Sequence, residues 1–440
     1  MKKEIKQAEQ EQEAQQAKRL KVAVLFGGRS SEHAVSLQSA AAVLRAMQAS
    51  RFEAVPVGIT REGRWLWFHG SVEEVASGAW QTGDCTPVTL SPDPADHGLI
   101  VWGQSGVRRE RLDAAFPVLH GKNGEDGTVQ GLLELAGIPC AGCGVLASAV
   151  CMDKDIAHRL AKAAGVDVPP SVALDAGEIY AAAASCAKSA ADLPGSSERK
   201  ISAASHQTES HAGDPSGTAG TECAPSTAGT GVFSSAANRP DALPEVDAVR
   251  KYLEARTKHL RYPLFVKPAR AGSSFGITCV EAPEGLSKAV AAALLHDGTV
   301  LIEQGVPGFE VGCAVLGTGA ALTVGEVDEI ELAGGFFDYT EKYTLETARI
   351  HMPARLPRAE RDRIRAAAKT VYRALDCAGF ARVDLFYTPE GNIVFNEVNT
   401  IPGFTEHSRF PGMMRGAGLE FGALVERLIE GTVTAACGKP

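Results

Sequence analysis

The sequence contains no run of about 18 apolar residues, so no segment reads as a transmembrane helix and no membrane partner is expected. Nor has it an excess of basic residues. Lys and Arg number 44 against 53 Asp and Glu, a formal charge of −9 with no basic stripe, which argues against nucleic acid as the main partner. Residues 1–20 lack the apolar core of a signal peptide. Rich in Lys, Glu, Gln and Ala, they read as a disordered or helical extension. The ten cysteines form no disulfide framework, and Cys140 and Cys143, in C-x-x-C spacing, have no second pair to close a zinc site. Small buried thiols in a reducing cytosol are the expectation, and with them a cytoplasmic location. Two nucleotide signatures are also missing. The glycines after residues 21–26 are not followed by Gly-Lys-Ser/Thr, so there is no Walker A loop. Their spacing is not the dinucleotide fingerprint either, which sets aside an NAD-binding oxidoreductase.

What is present concentrates near the end. Residues 382–386 hold Asp384 in an apolar run that reads as a buried strand, residues 389–392 (PEGN) read as a turn, and residues 393–398 read as a returning strand. Glu397 and Asn399 are two apart and share a strand face. Set beside Asp384 across the hairpin, they offer three oxygen ligands with no nitrogen or sulfur. Mg²⁺ favours a few carboxylates completed by phosphate oxygens and water, so this is a hard-cation set.

Upstream, residues 21–26 read as a buried parallel strand. The glycine turn GGRSSEH and a helix to about Met47 follow, an arrangement that gathers N–H groups and a positive dipole end at one point. Residues 114–119 read as a second buried strand, ending in the polar loop HGKNGEDG, and loops at the carboxyl ends of parallel strands are where open α/β sheets bind ligands. Residues 180–246 are dominated by Ala, Ser, Gly, Thr and Pro and read as a disordered insertion. After it come a strand ending in Lys267 and the Gly/Ser loop ARAGSSFG, which reads as a phosphate cover. The polar, aromatic stretch 336–345 reads as a lid.

Together these pieces resemble the D-alanine–D-alanine ligases of the ATP-grasp superfamily. The motifs carrying the resemblance are GGRSSEHAVSL, HGKNGEDGTVQGLLE, MDK at Met152–Lys154, VKPARAGSSFG, VLIEQ, FFDYTEKY, ARVDLF and FNEVNTIPGFTEHSRFPGM, in that order. The resemblance implies an α/β, three-domain ATP-grasp fold, with an N-terminal Rossmann-like parallel sheet and two α+β domains that grip ATP. Its expected parts are the extension at 1–20, an N-terminal substrate domain at 21–142, a central domain at 143–303 carrying the insertion, and a C-terminal domain at 304–437. The implied reaction is ATP-dependent joining of two D-alanines through a D-alanyl phosphate, for peptidoglycan synthesis.

The resemblance also assigns residues. Lys154, Lys267 and Lys342 match its phosphate-binding lysines. Ser274 and Phe336 match further nucleotide contacts, and Glu303 and Glu310 match the adenine and ribose ends. Asp384, Glu397 and Asn399 match the ligands of Mg²⁺ or Mn²⁺, with two ions expected. Arg382 and the N–H of Gly403 match the groups that stabilise the tetrahedral oxyanion. Glu32, Ser273 and Tyr343 match a triad around the first D-alanine, and His120 matches a contact to that substrate. Ser408 and Arg409 fall in the second-substrate region, and homodimers are usual in the family.

Two departures from the family pattern stand out. One is the insertion. The other is Arg409, where ligases making D-alanyl-D-alanine usually have an aliphatic residue. With the FFDYTEKY lid it looks more like the vancomycin-resistance ligases that join D-alanine to D-serine, so D-serine is the alternative acceptor. Tyr343 is not the histidine of the D-lactate-using type, which argues against a depsipeptide product. A catalytically silent nucleotide-binding homologue is the remaining alternative. It has against it that no expected charged or metal position is lost.

Overall fold

The structure is a computed structural model that describes residues 19–104, 106–191, 247–272, 276–332 and 348–437. Within these the chain builds three sheets in succession. The first holds β1 (Leu20–Gly27), β2 (Phe52–Ile59), β3 (Trp65–Phe68), β4 (Cys85–Leu90), β5 (Gly98–Gly103), β6 (Gly106–Arg111) and β7 (Ala114–Val118), in the order β6-β5-β4-β3-β2-β1-β7. Only β2, β1 and β7 run parallel, and the remaining strands form an antiparallel meander. Residues 22–26 of β1 are fully buried, as a strand covered on both faces must be. The chain then turns through Gly27 and Gly28, both at positive φ, into the helix His33–Gln48. A Cβ on Gly27 would meet the Ile59 carbonyl oxygen at 2.3 Å, so this close approach requires glycine.

The second sheet holds β8 (Ser171–Asp175), β9 (Leu264–Pro268), β10 (Thr278–Val280) and β11 (Thr299–Gln304), in the order β10-β9-β11-β8. The third holds β12 (Phe309–Thr318), β13 (Ala321–Leu332), β14 (Ala348–His351), β15 (Phe380–Tyr387) and β16 (Ile393–Asn399), in the order β14-β13-β12-β15-β16. Both are antiparallel, with the parallel sheet confined to the N-terminal part. This is the α/β ATP-grasp architecture.

The low-complexity stretch begins later than its composition suggests. The helix Ala176–Ala191 continues eleven residues past 180, because its run of alanines, poor in bulk, is strong in helix propensity. Residues 192–246 lie outside the described residues, and the helix Asp247–Thr257 resumes the chain.

The cores do not follow chain order. Val22, Val24, Phe26 and Phe116 of the first sheet share one core with Phe380, Phe404, Phe410, Met413 and Leu424. Phe116, Phe380, Phe404 and Phe410 touch ring to ring with centroids 5.4–6.0 Å apart. Cys143, Ala147, Cys151, Ala157 and Ala161 pack with the third sheet. The second sheet has a core of its own, from Leu174 to Ile302. Of the described cysteines Cys143, Cys151, Cys313 and Cys377 are buried free thiols, and burial pushes Cys313 up to about 12.

Candidate active site

The hairpin β15–β16 is the centre of the site. Thr388 and Gly391 close its turn, Gly391 at positive φ. Register places Asp384 opposite Glu397 and Arg382 opposite Asn399. Arg382 and Asp384 are two apart, so both side chains leave the same face, and both are buried. Arg382 Nε donates to Asp384 Oδ1 at 2.7 Å and Nη2 to Oδ2 at 2.6 Å, while Asn399 Nδ2 donates to Oδ2 at 2.9 Å.

The helix Lys154–Ala163 reaches this hairpin from the side. Asp153 caps it, accepting the Ile156 N–H at 3.1 Å, which fixes its first turn against the site. Lys154 Nζ donates to the Ala271 carbonyl at 2.7 Å and lies 3.6 Å from Glu397 Oε2. Lys154 is thus shared between the Gly/Ser loop and the strand bearing Glu397. Lys267 and Glu303 lie on neighbouring strands β9 and β11 and pair at 2.6 Å. Both are buried, so each offsets the desolvation of the other.

Arg409 opens the helix Arg409–Gly416 and turns inward. Its Nε and Nη2 fork onto Asp328 at 2.7 and 2.8 Å, Nη1 donates to Glu310 at 2.9 Å, and Nη2 lies 3.5 Å from Asp384 Oδ1. Burial pushes the Glu310 carboxyl up to about 7 against the pull of the Arg409 guanidinium. Asp328 is fully buried and also accepts the Gly312 N–H at 2.9 Å. Glu303 and Glu310, expected at the two ends of one nucleoside, therefore have different partners: a lysine for one, an arginine for the other. Ser408 Oγ accepts the Thr405 N–H at 3.0 Å and lies 2.8 Å from Thr405 Oγ1, so it is engaged in the turn before the helix.

The first sheet contributes Glu32 and His120, both buried. A Cβ on Gly121 would meet Glu32 Oε2 at 2.5 Å, and one on Gly272 would meet it at 3.2 Å. The Gly/Ser loop thus approaches the Glu32 carboxylate just before Ser273. The His120 ring spans two elements. Nδ1 lies 2.8 Å from the Ile401 carbonyl, which only accepts, so Nδ1 carries the proton. Nε2 is then an acceptor for Ser39 Oγ at 3.2 Å, and Ser39 Oγ in turn accepts the Phe404 N–H at 3.1 Å. Glu125 takes the Gly121 and Ile401 N–H groups at 2.7 and 3.1 Å. The segment carrying Gly403 is fastened to the first sheet on both sides of that residue.

Ser273, Ser274, Phe336, Lys342 and Tyr343, the rest of the expected set, lie outside the described residues. Three residues were missed by sequence reasoning: Asp328, Glu125 and His158. His158 had a usable signal, because it stands four residues after Lys154 and so shares its helix face. Asp328, in an alternating strand, had no mark to separate it from a solvated acid.

Among the described residues no three of His, Cys, Asp and Glu converge into a metal shell by themselves. Two carboxylates and an amide oxygen do suit a hard cation whose other ligands are phosphate and water, so the residues fit Mg²⁺ or Mn²⁺.

Comparison with known proteins follows these features along the chain. Residues 21–143 match the family model described as D-ala D-ala ligase N-terminus, and residues 243–430 match D-ala D-ala ligase C-terminus. The vancomycin B-type resistance protein VanB of Enterococcus faecalis is 40% identical, covering 93% of this chain and 98% of that protein. A D-alanine–D-alanine ligase from Caldicellulosiruptor bescii is 36% identical over 93% of this chain and 94% of its own length. The crystal structure of VanG D-Ala:D-Ser ligase from Enterococcus faecalis superposes with a TM-score of 0.73 at 43% identity, covering 94% of this chain and 99% of that one.

Proposed function

The chain belongs to the D-alanine–D-alanine ligase family, whose members use ATP and a metal ion, and from that premise we propose that it joins D-alanine to a second D-amino acid through a D-alanyl phosphate. The observation carrying this reading is the convergence of Lys154, Arg382, Asp384, Glu397 and Asn399 at one hairpin. Lys154 and Lys267 offset the negative charge of the triphosphate. Asp384, Glu397 and Asn399 would hold a metal ion, which would supply charge stabilisation to the transferred phosphoryl group. Glu32 receives the ammonium of the first D-alanine, whose carboxylate takes the phosphoryl group. The amine of the second substrate then attacks the acyl carbon and displaces phosphate. Arg382 and the Gly403 N–H hold the oxyanion formed in that step. Ser273, Ser274, Phe336, Lys342 and Tyr343 complete the set we propose, on the strength of their motifs alone.

Two acceptors come into question. The family name points to D-alanine. D-serine is the second reading, supported by the likeness to a D-Ala:D-Ser ligase. Protein, ATP, Mg²⁺ and D-alanine incubated with D-alanine, D-serine and D-lactate in competition, with products identified by mass, will decide between them. A D-alanyl-D-amino acid is expected. Absence of any D-alanine-dependent phosphate release would overturn the reading as a whole, in favour of a silent homologue.

A further inference from the structure

His158 sits on the helix Lys154–Ala163, one turn after Lys154, and is buried. The helix packs with the third sheet through Ala157 and Ala161, whereas Lys267 and Glu303 belong to the second sheet, whose core is separate. The His158 ring lies between the two. Its Nε2 is 2.7 Å from the Asn396 carbonyl, one residue before Glu397. A carbonyl only accepts, so Nε2 carries a proton. Its Nδ1 is 3.4 Å from Glu303 Oε1, the oxygen not used by Lys267. Among the described residues neither Nδ1 nor Oε1 has a hydrogen-bond partner, and both are enclosed. Phe395 stands edge-on to the ring with centroids 5.5 Å apart and holds its plane. The charged groups facing the ring are Glu303, Lys267 and Lys154. A proton on either Nδ1 or Oε1 makes their contact a hydrogen bond. Lys267, on the other carboxylate oxygen, limits the repulsion when neither is protonated.

We infer that His158 is a positioning residue that couples the two halves of the proposed site. One imidazole ties the strand bearing Glu397 and Asn399 to the carboxylate that orients Lys267. The separation of the metal strand from the phosphate lysine is then set by a side chain that touches neither nucleotide nor metal. Direct hydrogen-bond partners of a metal ligand change metal affinity by roughly 10- to 100-fold when removed, and His158, which bonds the backbone one residue before Glu397, is expected at the lower end of that range. This inference rests on the ligase reading given above.

The test uses the full chain and three variants. His158→Ala removes both contacts. His158→Gln places an amide N–H near the Nε2 position and can keep the Asn396 bond. His158→Asn places its amide near the Nδ1 position and can keep only the Glu303 contact. We expect His158→Ala to raise KM for ATP and the Mg²⁺ concentration for half-maximal activity about tenfold each, with KM for D-alanine within about twofold of wild type. His158→Gln and His158→Asn, each keeping one contact, should both stay impaired in KM for ATP and in the Mg²⁺ response, because a tie cut at either end no longer couples the two halves. Calorimetric binding of a non-hydrolysable ATP analogue, with and without Mg²⁺, gives the same comparison without turnover. A rise in all three constants together in His158→Ala, or full restoration by either the Gln or the Asn variant alone, would overturn the coupling role, as would unchanged analogue binding. Absence of D-alanine-dependent phosphate release in the wild type would count instead against the ligase reading, since analogue and metal binding are read separately.

Discussion

Arg409 has Nε and Nη2 on Asp328, Nη1 on Glu310 and Nη2 near Asp384. Arg409, placed by the resemblance in the second-substrate region, is in the folded chain a cation set among Asp328, Glu310 and Asp384. Replacing it with leucine leaves Asp328, which has no exposed surface, with an uncompensated buried charge. Breaking a buried pair in this way costs about 3–5 kcal/mol. Arg409→Leu should therefore lower stability by that order in denaturant titration and reduce turnover with D-alanine and D-serine alike. A fall confined to D-serine at unchanged stability would return Arg409 to the role of a direct reader. Glu397 behaves differently, because its side chain is partly exposed and 3.6 Å from Lys154. Glu397→Gln should leave the unfolding midpoint nearly unchanged and lower D-alanine-dependent phosphate release at least about 100-fold, since the metal site loses an anionic ligand. Near-normal turnover at saturating Mg²⁺ would remove Glu397 from the metal set. The metal candidates were legible in sequence because a hairpin brings positions close in the chain onto one face. Asp328 and Glu125 were not, because their partners stand 81 and 276 residues away in the chain, and neither helical nor strand period records such a distance.

At the scale of elements, the segment after β16 depends on the first sheet. Phe404 N–H and His120 both bond the Ser39 hydroxyl in the middle of the helix His33–Gln48. The period of that helix predicts its buried face, and Ser36 and Ser39 lie on it, fully buried. Nothing local says that a buried serine will meet a loop 365 residues later. Ser39→Ala leaves a buried N–H unpaired, which costs about 1–3 kcal/mol. The expected result is a loss of that size in denaturant unfolding, together with reduced turnover, because Gly403 lies in the loosened segment. Full stability and full turnover in Ser39→Ala would show that the bond positions nothing. The strands read from sequence had ends legible to within about three residues, while β2–β6, β8 and β13 were not read at all. A boundary further off is that of the helix Ala176–Ala191, where composition suggested an insertion and alanine propensity prolonged a helix.

For the whole molecule, the insertion is the clearest test. The helices Ala176–Ala191 and Asp247–Thr257 lie side by side, with Tyr252 Oη donating to Glu178 Oε2 at 3.2 Å. The chain leaves and re-enters the second sheet's core at neighbouring places. Replacing residues 192–246 with a short Gly/Ser linker should leave D-alanine-dependent phosphate release and Tm nearly unchanged, since the cost of closing a loop grows slowly with its length. Loss of soluble active protein would give that stretch a structural part. The shared cores have a mechanical consequence. Residues of the first and third sheets are packed into one hydrophobic mass, bound further by His120, Ser39 and Glu125, and behave as a rigid frame. The second sheet, with its separate core, is the jaw. From the separate cores we expect nucleotide entry and release to swing the second sheet against that frame. Spectroscopic labels on the first and third sheets should keep their separation when nucleotide binds, while a label on the second sheet moves relative to both.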